Sequence, residues 1–303
     1  MGNVLCLLYH RVSNEKDSMY HLTVSPQHFA EQMKYIKERY RCIRFEDTWE
    51  DADEPSVVVT FDDGYADNCT CALPILEQYQ VPATIFVASG NIGSKREFWW
   101  DELGRLFTCA EEYPSVFRLE DPLFGYSWET DTYEKRFELA KTIRWLLRMN
   151  TDLEVRNRWF RQIREWAGLS ESGREAHRCA TITQLQQLAQ SKWITIGAHT
   201  VHHMSLGAME REMQKQEIEN SIKAIDHWLG FSPTVFSYPF GTRLDYNQDT
   251  MEICRELGIK KAATTIQKCW KHTDNPYEIP RKTVRDWDID RFKQQIDSTW
   301  KEV

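Results

Sequence analysis

Short, uninterrupted apolar runs alternate along the chain with longer stretches in which apolar residues return every third or fourth position. A run that is apolar at every position predicts a strand buried on both faces, as in a parallel sheet, and the wider spacing predicts amphipathic helices that cover it. Strands are expected at Val4 to Tyr9, Val57 to Phe61, Thr84 to Val87, Ile194 to Gly197, Val235 to Tyr238, Lys261 to Ala263 and Ile279 to Val284. Among the helices, Phe29, Met33 and Ile36 share one face, Ile218, Ile222, Ile225 and Leu229 another. Met251 to Leu257 ends at Gly258, a residue suited to the left-handed turn that stops a helix. Strand and helix in alternation predict an α/β fold, a parallel sheet or barrel wrapped by helices. No repeat at a period of about 20 to 50 residues suggests a solenoid.

One stretch departs from this rhythm. From about Glu111 to Cys179 no strand stands out, whereas Tyr133, Phe137, Ala140, Ile143 and Leu147 share one helical face and Val155, Trp159, Ile163 and Trp166 another. This predicts an inserted helical hairpin at 111–179 within a single domain of 1–303, either a packing subdomain or a lid over the site.

Composition narrows the function. The chain has 303 residues, with 38 Lys+Arg against 46 Asp+Glu and a formal charge of −8. An acidic chain without a Lys/Arg run lacks the electrostatic footprint of a nucleic-acid binder or of a protein drawn to an anionic membrane. The longest N-terminal apolar run, Val4 to Tyr9, is cut short by His10 and Arg11, far below the roughly 18 to 20 residues of a membrane span and too short for a signal peptide. A cytoplasmic protein is expected. The eight cysteines form neither a CxxC pair nor a zinc-finger spacing, and Cys69 and Cys71 are expected beside a helix rather than on a metal.

Two strand ends carry the candidate chemistry. In Thr60-Phe61-Asp62-Asp63-Gly64-Tyr65 an apolar strand closes on adjacent carboxylates. Carboxylates forced together repel, so one is expected to find a cation and the other to be free to take a proton; a plain Asp-Gly turn is the alternative. Ile194 to Gly197 runs into Ala198-His199-Thr200-Val201-His202-His203, where His199 and His203 are four apart and can meet on one ion if the segment turns helically. Two imidazoles and one carboxylate converging from strand ends make a metal site with an open position for water and substrate.

These residues resemble the polysaccharide deacetylase family, the carbohydrate esterases with the nodulation-protein B homology domain. Its first motif is similar to Thr60 to Gly64, its second to His199-Thr200-Val201-His202-His203, and its third, in changed form, to Phe236-Ser237-Tyr238-Pro239-Phe240-Gly241. Leu8-Tyr9-His10-Arg11-Val12, Ala72 to Leu76 and Val81 to Val87 resemble the branch that includes poly-N-acetylglucosamine deacetylases, and the likeness covers most of 4–105 and 181–285. The resemblance implies a distorted (β/α) barrel of about seven parallel strands with its site at their carboxyl ends. It further implies that Asp63, His199 and His203 hold one divalent metal, usually zinc, that Asp62 is the general base, and that the Phe240 backbone N–H helps hold the oxyanion.

Two positions depart from the family pattern. The Arg that opens the third motif and fixes the base is replaced by Ser237, which carries no charge; Arg281, in Glu278-Ile279-Pro280-Arg281, either takes over that task or is a surface residue. The late histidine that protonates the leaving amine is missing, since none follows His272. His10, at the end of the first strand, is the expected acid, with a buried structural histidine as the alternative. Trp99, Trp100 and Asp101 suit a sugar, the aromatic faces for C–H surfaces and the carboxylate for hydroxyls, unless the indoles pack the insertion; Tyr238 is also read as a substrate contact.

The expected activity is removal of an N-acetyl or other N-acyl group from an amino-sugar glycan or glycan precursor, with a carbohydrate substrate as partner and no nucleic acid. A two-His-one-carboxylate non-heme iron oxygenase is the competing enzyme reading, disfavoured because it leaves Asp62 without a role. A carbohydrate-binding relic of the deacetylase fold is the non-enzyme alternative, motivated by the losses at 237 and after 272.

Overall fold

The computed structural model describes residues 3–15, 19–49, 54–122 and 124–301. The chain forms two compact units, Met1–Gly93 with Cys179–Val303, and Ser94–Arg178.

In the first unit, seven strands follow one another across the sheet in the order Lys261–Ala263, Val235–Ser237, Ile194–Ala198, Ala83–Val87, Ser56–Phe61, Val4–Tyr9 and Lys282–Thr283, all pairing in parallel. A further short strand, Arg41–Cys42, pairs off this path with Ser56–Phe61. Every residue of Val4–Tyr9, Ser56–Phe61 and Ala83–Val87 is buried, the outcome expected for unbroken apolar runs in a parallel sheet. The last extended segment, which carries the end strand Lys282–Thr283, also bonds back to the opposite end of this path. The Ile279 N–H donates to Ala262 O at 2.9 Å and its carbonyl accepts from Thr264 N at 2.8 Å, while Lys282 pairs with Leu7. The sheet therefore curls on itself as a distorted (β/α) barrel, and Arg281 lies between the two attachments.

The helices outside the sheet follow the spacing of the sequence. Pro26–Arg39 buries Phe29, Met33 and Ile36, and its first turn is capped by Ser25, whose hydroxyl accepts from the His28 N–H. Arg211–Leu229 buries Ile218, Ile222 and Ile225. Gln248–Glu256 stops two residues before Gly258, whose φ of +80° favours glycine. No helix among the described residues is long and apolar enough to cross a membrane. All eight cysteines are free thiols.

Ser94–Arg178 contains the expected helical pair, Tyr133–Met149 and Leu153–Ala167, preceded by the helix Trp99–Thr108. It also contains strands where none was expected. Val116–Asp121 and Phe124–Glu129 form an antiparallel hairpin with Phe117 opposite Trp128 and Leu119 opposite Tyr126. The signal was a strict period of two, Phe117 and Leu119 facing inward between Arg118 and Glu120, which a search for continuous apolar runs passes over.

Candidate active site

The strand register brings the chemistry together. Val4 to Tyr9 pair one for one with Ser56 to Phe61, so both strands end level, and the Asp62 N–H donates to Tyr9 O at 3.1 Å. Val87 pairs with Ala198 and accepts the His199 N–H at 3.0 Å, which carries the same level across the sheet. His10, Asp62, Asp63 and His199 consequently leave the barrel at its carboxyl end.

Beyond the strand ends the backbone turns through left-handed conformations. Asp63, Thr200, His203 and Phe240 have φ of 78°, 64°, 50° and 60°, and Gly64 follows Asp63 at +88°. For Thr200, which is β-branched, this is a costly conformation, and such strain collects where the surrounding structure must aim a side chain. His199 and His203 are therefore brought together by two left-handed residues and a bend, and not by the helical turn that their spacing suggested. Glu217, on the Arg211–Leu229 helix, braces the bend: its carboxylate accepts from the Val201 and His202 N–H groups at 3.1 and 2.9 Å and lies 2.6 Å from His202 Nδ1. His202 thus belongs to the brace. The Glu217 role left no signal in the sequence, because it rests on a helix packed against a loop.

Asp63 Oδ1 lies 3.6 Å from His199 Nε2 and 3.5 Å from His203 Nε2, and the three ligand atoms fall within 4.8 Å of one another. Two donors bonded at about 2.0–2.1 Å to one tetrahedral ion sit roughly 3.3–3.4 Å apart, so the spacing and the donor types both fit a divalent metal. His199 Nδ1 is 2.7 Å from Ser237 O, which fixes the ring and leaves Nε2 for the ion. Burial alone would lower the His199 pKa, but Asp62 and Asp63 outweigh it and raise the imidazole above its usual value.

Asp62 is held by Arg281, which is wholly buried. Arg281 Nη1 donates to Asp62 Oδ1 and Nη2 to Oδ2, each at 2.7 Å, while Nη2 also reaches Ser237 Oγ at 2.8 Å and Nη1 reaches Thr60 Oγ1 at 3.2 Å. Ser237 Oγ in turn donates to Asp62 Oδ2 at 3.2 Å. Ser237 is therefore a working part of this network, although its lack of charge made it read as a loss. Burial pushes the Asp62 pKa up, but the Arg281 charge and hydrogen bonds, helped by His199, hold it at about 2. Of roughly four acceptor positions on a carboxylate, Arg281 and Ser237 take three and leave one on Oδ1.

His10 follows the first strand, near enough to Asp62 and Asp63 to feel both charges; burial lowers its pKa more than those carboxylates restore it. Phe240 packs its ring on His203, centroids 4.8 Å apart, and its carbonyl accepts from Thr265 Oγ1 at 2.7 Å. A Cβ on the next residue, Gly241, would fall 2.7 Å from Thr265 N, so glycine is needed for this turn to close.

The remaining candidates are buried. Tyr238 is fully buried, stacked on Tyr246 at 4.4 Å with its hydroxyl donating to Tyr277 O at 3.0 Å, and so is a core residue and not a substrate contact. Trp99, Trp100 and Asp101 are buried in the second unit: Trp100 stacks on Phe98 at 4.7 Å, Arg156 lies 4.5 Å from the Trp99 ring, and Asp101 is 3.7 Å from His177 Nδ1. Packing is the role that these contacts give them.

The family model for polysaccharide deacetylase matches residues 50–109 and 172–262, which contain both the Asp62–Asp63 pair and the His199–His203 segment. The chain belongs to the polysaccharide deacetylase family. The unmatched interval, 110–171, falls inside the unit Ser94–Arg178. YxkH of Bacillus subtilis (strain 168), which bears the polysaccharide deacetylase name, is 21% identical over 285 residues, covering 92% of this chain and 70% of that protein. The Streptococcus pyogenes deacetylase PplD, solved in complex with acetate, superposes with a TM-score of 0.60 at 17% identity, over 97% of each chain. IcaB from Ammonifex degensii gives 0.61 at 17% identity, over 98% of this chain and 96% of that one. At such identities the structures establish a shared fold. As a member of this family the chain is a carbohydrate deacetylase by class, which sets aside the oxygenase reading.

Proposed function

We propose that this deacetylase is a metal-dependent hydrolase that removes an N-acetyl or other short N-acyl group from an amino sugar in a glycan or glycan precursor. The observation that carries the reading is the approach of a three-donor metal set, Asp63, His199 and His203, to a carboxylate held by a buried arginine, Asp62 with Arg281. One catalytic domain is proposed, with Ser94–Arg178 as an insertion in it.

Asp63, His199 and His203 would hold the ion, and zinc is the ion this donor set favours. When bound, it supplies Lewis acidity toward the acyl oxygen and the attacking water. Asp62 accepts the water proton on the remaining Oδ1 position, kept ionised and aimed by Arg281. The Phe240 N–H, at its left-handed turn, donates to the oxyanion. His10 gives its proton to the departing amine nitrogen; its lowered pKa makes the imidazolium a stronger acid and the protonated form a smaller share at neutral pH.

Purified protein is expected to carry one divalent ion per chain by elemental analysis, and His199→Ala and Asp63→Ala to lose it. Because a ligating imidazole must be neutral and His199 is held above its usual pKa, affinity should fall as pH drops through that raised value. Affinity independent of pH, or metal retained in both variants, would remove the site.

A screen of N-acylated amino sugars, free, oligomeric and nucleotide-linked, scored by new primary amine, tests the activity itself. In the same assay His10→Ala should slow amide cleavage by roughly 10²-fold or more while sparing an activated ester, whose leaving group needs no proton. Equal losses on both substrates would assign the acid elsewhere.

A further inference from the structure

Asn68 is wholly buried and opens a π-helical turn, Asn68–Ala72, which the Leu73 N–H closes by donating to Asn68 O. Such wide turns are rare and collect at functional sites. This one points two adjacent side chains, Asp67 and Asn68, at the segment that leaves the strand Val4–Tyr9. Asn68 Nδ2 donates to His10 O at 2.8 Å, while Asp67 accepts from Arg11 Nε on Oδ2 at 2.9 Å and from Val12 N on Oδ1 at 3.3 Å. Asn68 Nδ2 also donates to Asp67 Oδ1 at 3.3 Å, which joins the two side chains into one clamp. Arg11 and Asp67 are both buried.

His10 is thereby held on both sides. The carbonyl before it, of Tyr9, accepts from the Asp62 N–H, its own carbonyl accepts from Asn68, and the next N–H, of Arg11, donates to Leu22 O at 3.2 Å. The backbone of the proposed acid is therefore tied to that of the proposed base on one side and to the clamp on the other. Stability alone is a poor account of Asn68. Its Oδ1 is buried and accepts no hydrogen bond among the described residues, and a buried acceptor left unsatisfied is destabilising. The use that its amide has is the Nδ2 group, aimed at His10 and Asp67.

We propose that Asn68, with Asp67 beside it, is a positioning residue for His10, fixing the backbone from which the imidazole reaches the departing amine nitrogen. This rests on the reading of His10 as the acid of a deacetylase. Misplacing a reacting group by about 1 Å can cost about 10²-fold in rate, so a clamp on the backbone of an acid has a large lever.

Asn68→Ala is tested on the β-1,6-linked N-acetylglucosamine pentamer and on 4-nitrophenyl acetate, with rates divided by the folded fraction. Turnover of the pentamer should fall roughly 10- to 10²-fold at a nearly unchanged KM, while the activated ester, which needs no acid, should be spared. Asn68→Ser, which keeps a hydroxyl donor, should recover part of the loss and carries the same comparison if the alanine variant does not fold. In a His10→Ala background Asn68→Ala should cost little more, because the group that it positions is gone. The His10 Cε1–H resonance, assigned by its disappearance in His10→Ala, should be single in the parent and broadened or split in Asn68→Ala. Thr70→Ala, at an exposed position of the same turn, should change neither rates nor resonance. Equal losses on pentamer and ester, the same loss with and without His10, or a His10 resonance unmoved by Asn68→Ala would overturn the positioning role. The resonance is read without turnover, so the two readings fail separately. A His10 signal that depends on Asn68 in a protein whose amide-to-ester ratio ignores His10→Ala retires the acid and leaves the clamp, whereas a ratio that depends on His10 but not on Asn68 retires the clamp alone.

Discussion

Asp62→Asn is expected to lower turnover by about 10²- to 10⁴-fold while leaving one divalent ion bound per chain. The amide has no basic oxygen to take the proton of the attacking water, whereas Asp63, His199 and His203, the proposed metal donors, are untouched. A second consequence follows from the partner. Arg281 is wholly buried and presents Nη1 and Nη2 to the carboxylate at 2.7 Å each, so an amide NH₂ would meet one of two donors head-on. Removing one member of a buried pair costs about 3–5 kcal/mol, so the rate must be divided by the folded fraction measured by circular dichroism. Parent-like turnover in the folded variant would show that another group is the base. A loss of metal in step with activity would show that Asp62 holds the ion's environment together and does not simply accept a proton.

The legibility of this molecule in its sequence divides along the range of the interactions. The buried parallel strands were visible because a strand covered on both faces has few polar positions to interrupt it; Val4–Tyr9, apolar and buried throughout, runs over the residues expected. The candidate metal donors Asp63 and His199 and the candidate base Asp62 were visible because strand register brings residues just beyond strand ends together, and all three lie there. What remained hidden depends on contacts between distant segments. Ser237 looked like a missing charge until Arg281, 44 positions later, was seen to donate to its hydroxyl. Glu217 braces a bend 15 positions earlier through backbone N–H groups, which leave no residue pattern. Tyr238, Trp99 and Trp100 carry polar-tipped or broad aromatic rings that suit a sugar or a core equally well, and burial decided for the core. The hairpin Val116–Asp121 with Phe124–Glu129 was lost because charged residues on its outer positions broke the apolar runs.

Arg281→Met should be the most destabilising change at the site, by about 3–5 kcal/mol in urea unfolding near pH 7, since it strands the Asp62 charge in a position only 3% exposed. Methionine keeps much of the buried volume, so the loss reports the charge and its hydrogen bonds more than a cavity. The pH dependence has a definite sign. In the parent, Asp62 is held at about 2, below its ordinary 3.8, so its contribution to stability is complete above 3.8 and is lost as pH falls through about 2. Without the guanidinium, burial becomes the leading influence and the pKa rises above 3.8. In the variant, then, the protonated carboxyl is the favoured buried form, and stability declines as pH climbs through the raised value. The gap between parent and variant should therefore narrow between pH 7 and pH 4, and the acid limb of the activity profile should move upward, because the base is lost to protonation at a higher pH. An unchanged gap at the two pH values, together with an unmoved acid limb, would mean that Arg281 fills space beside Asp62 without setting its charge.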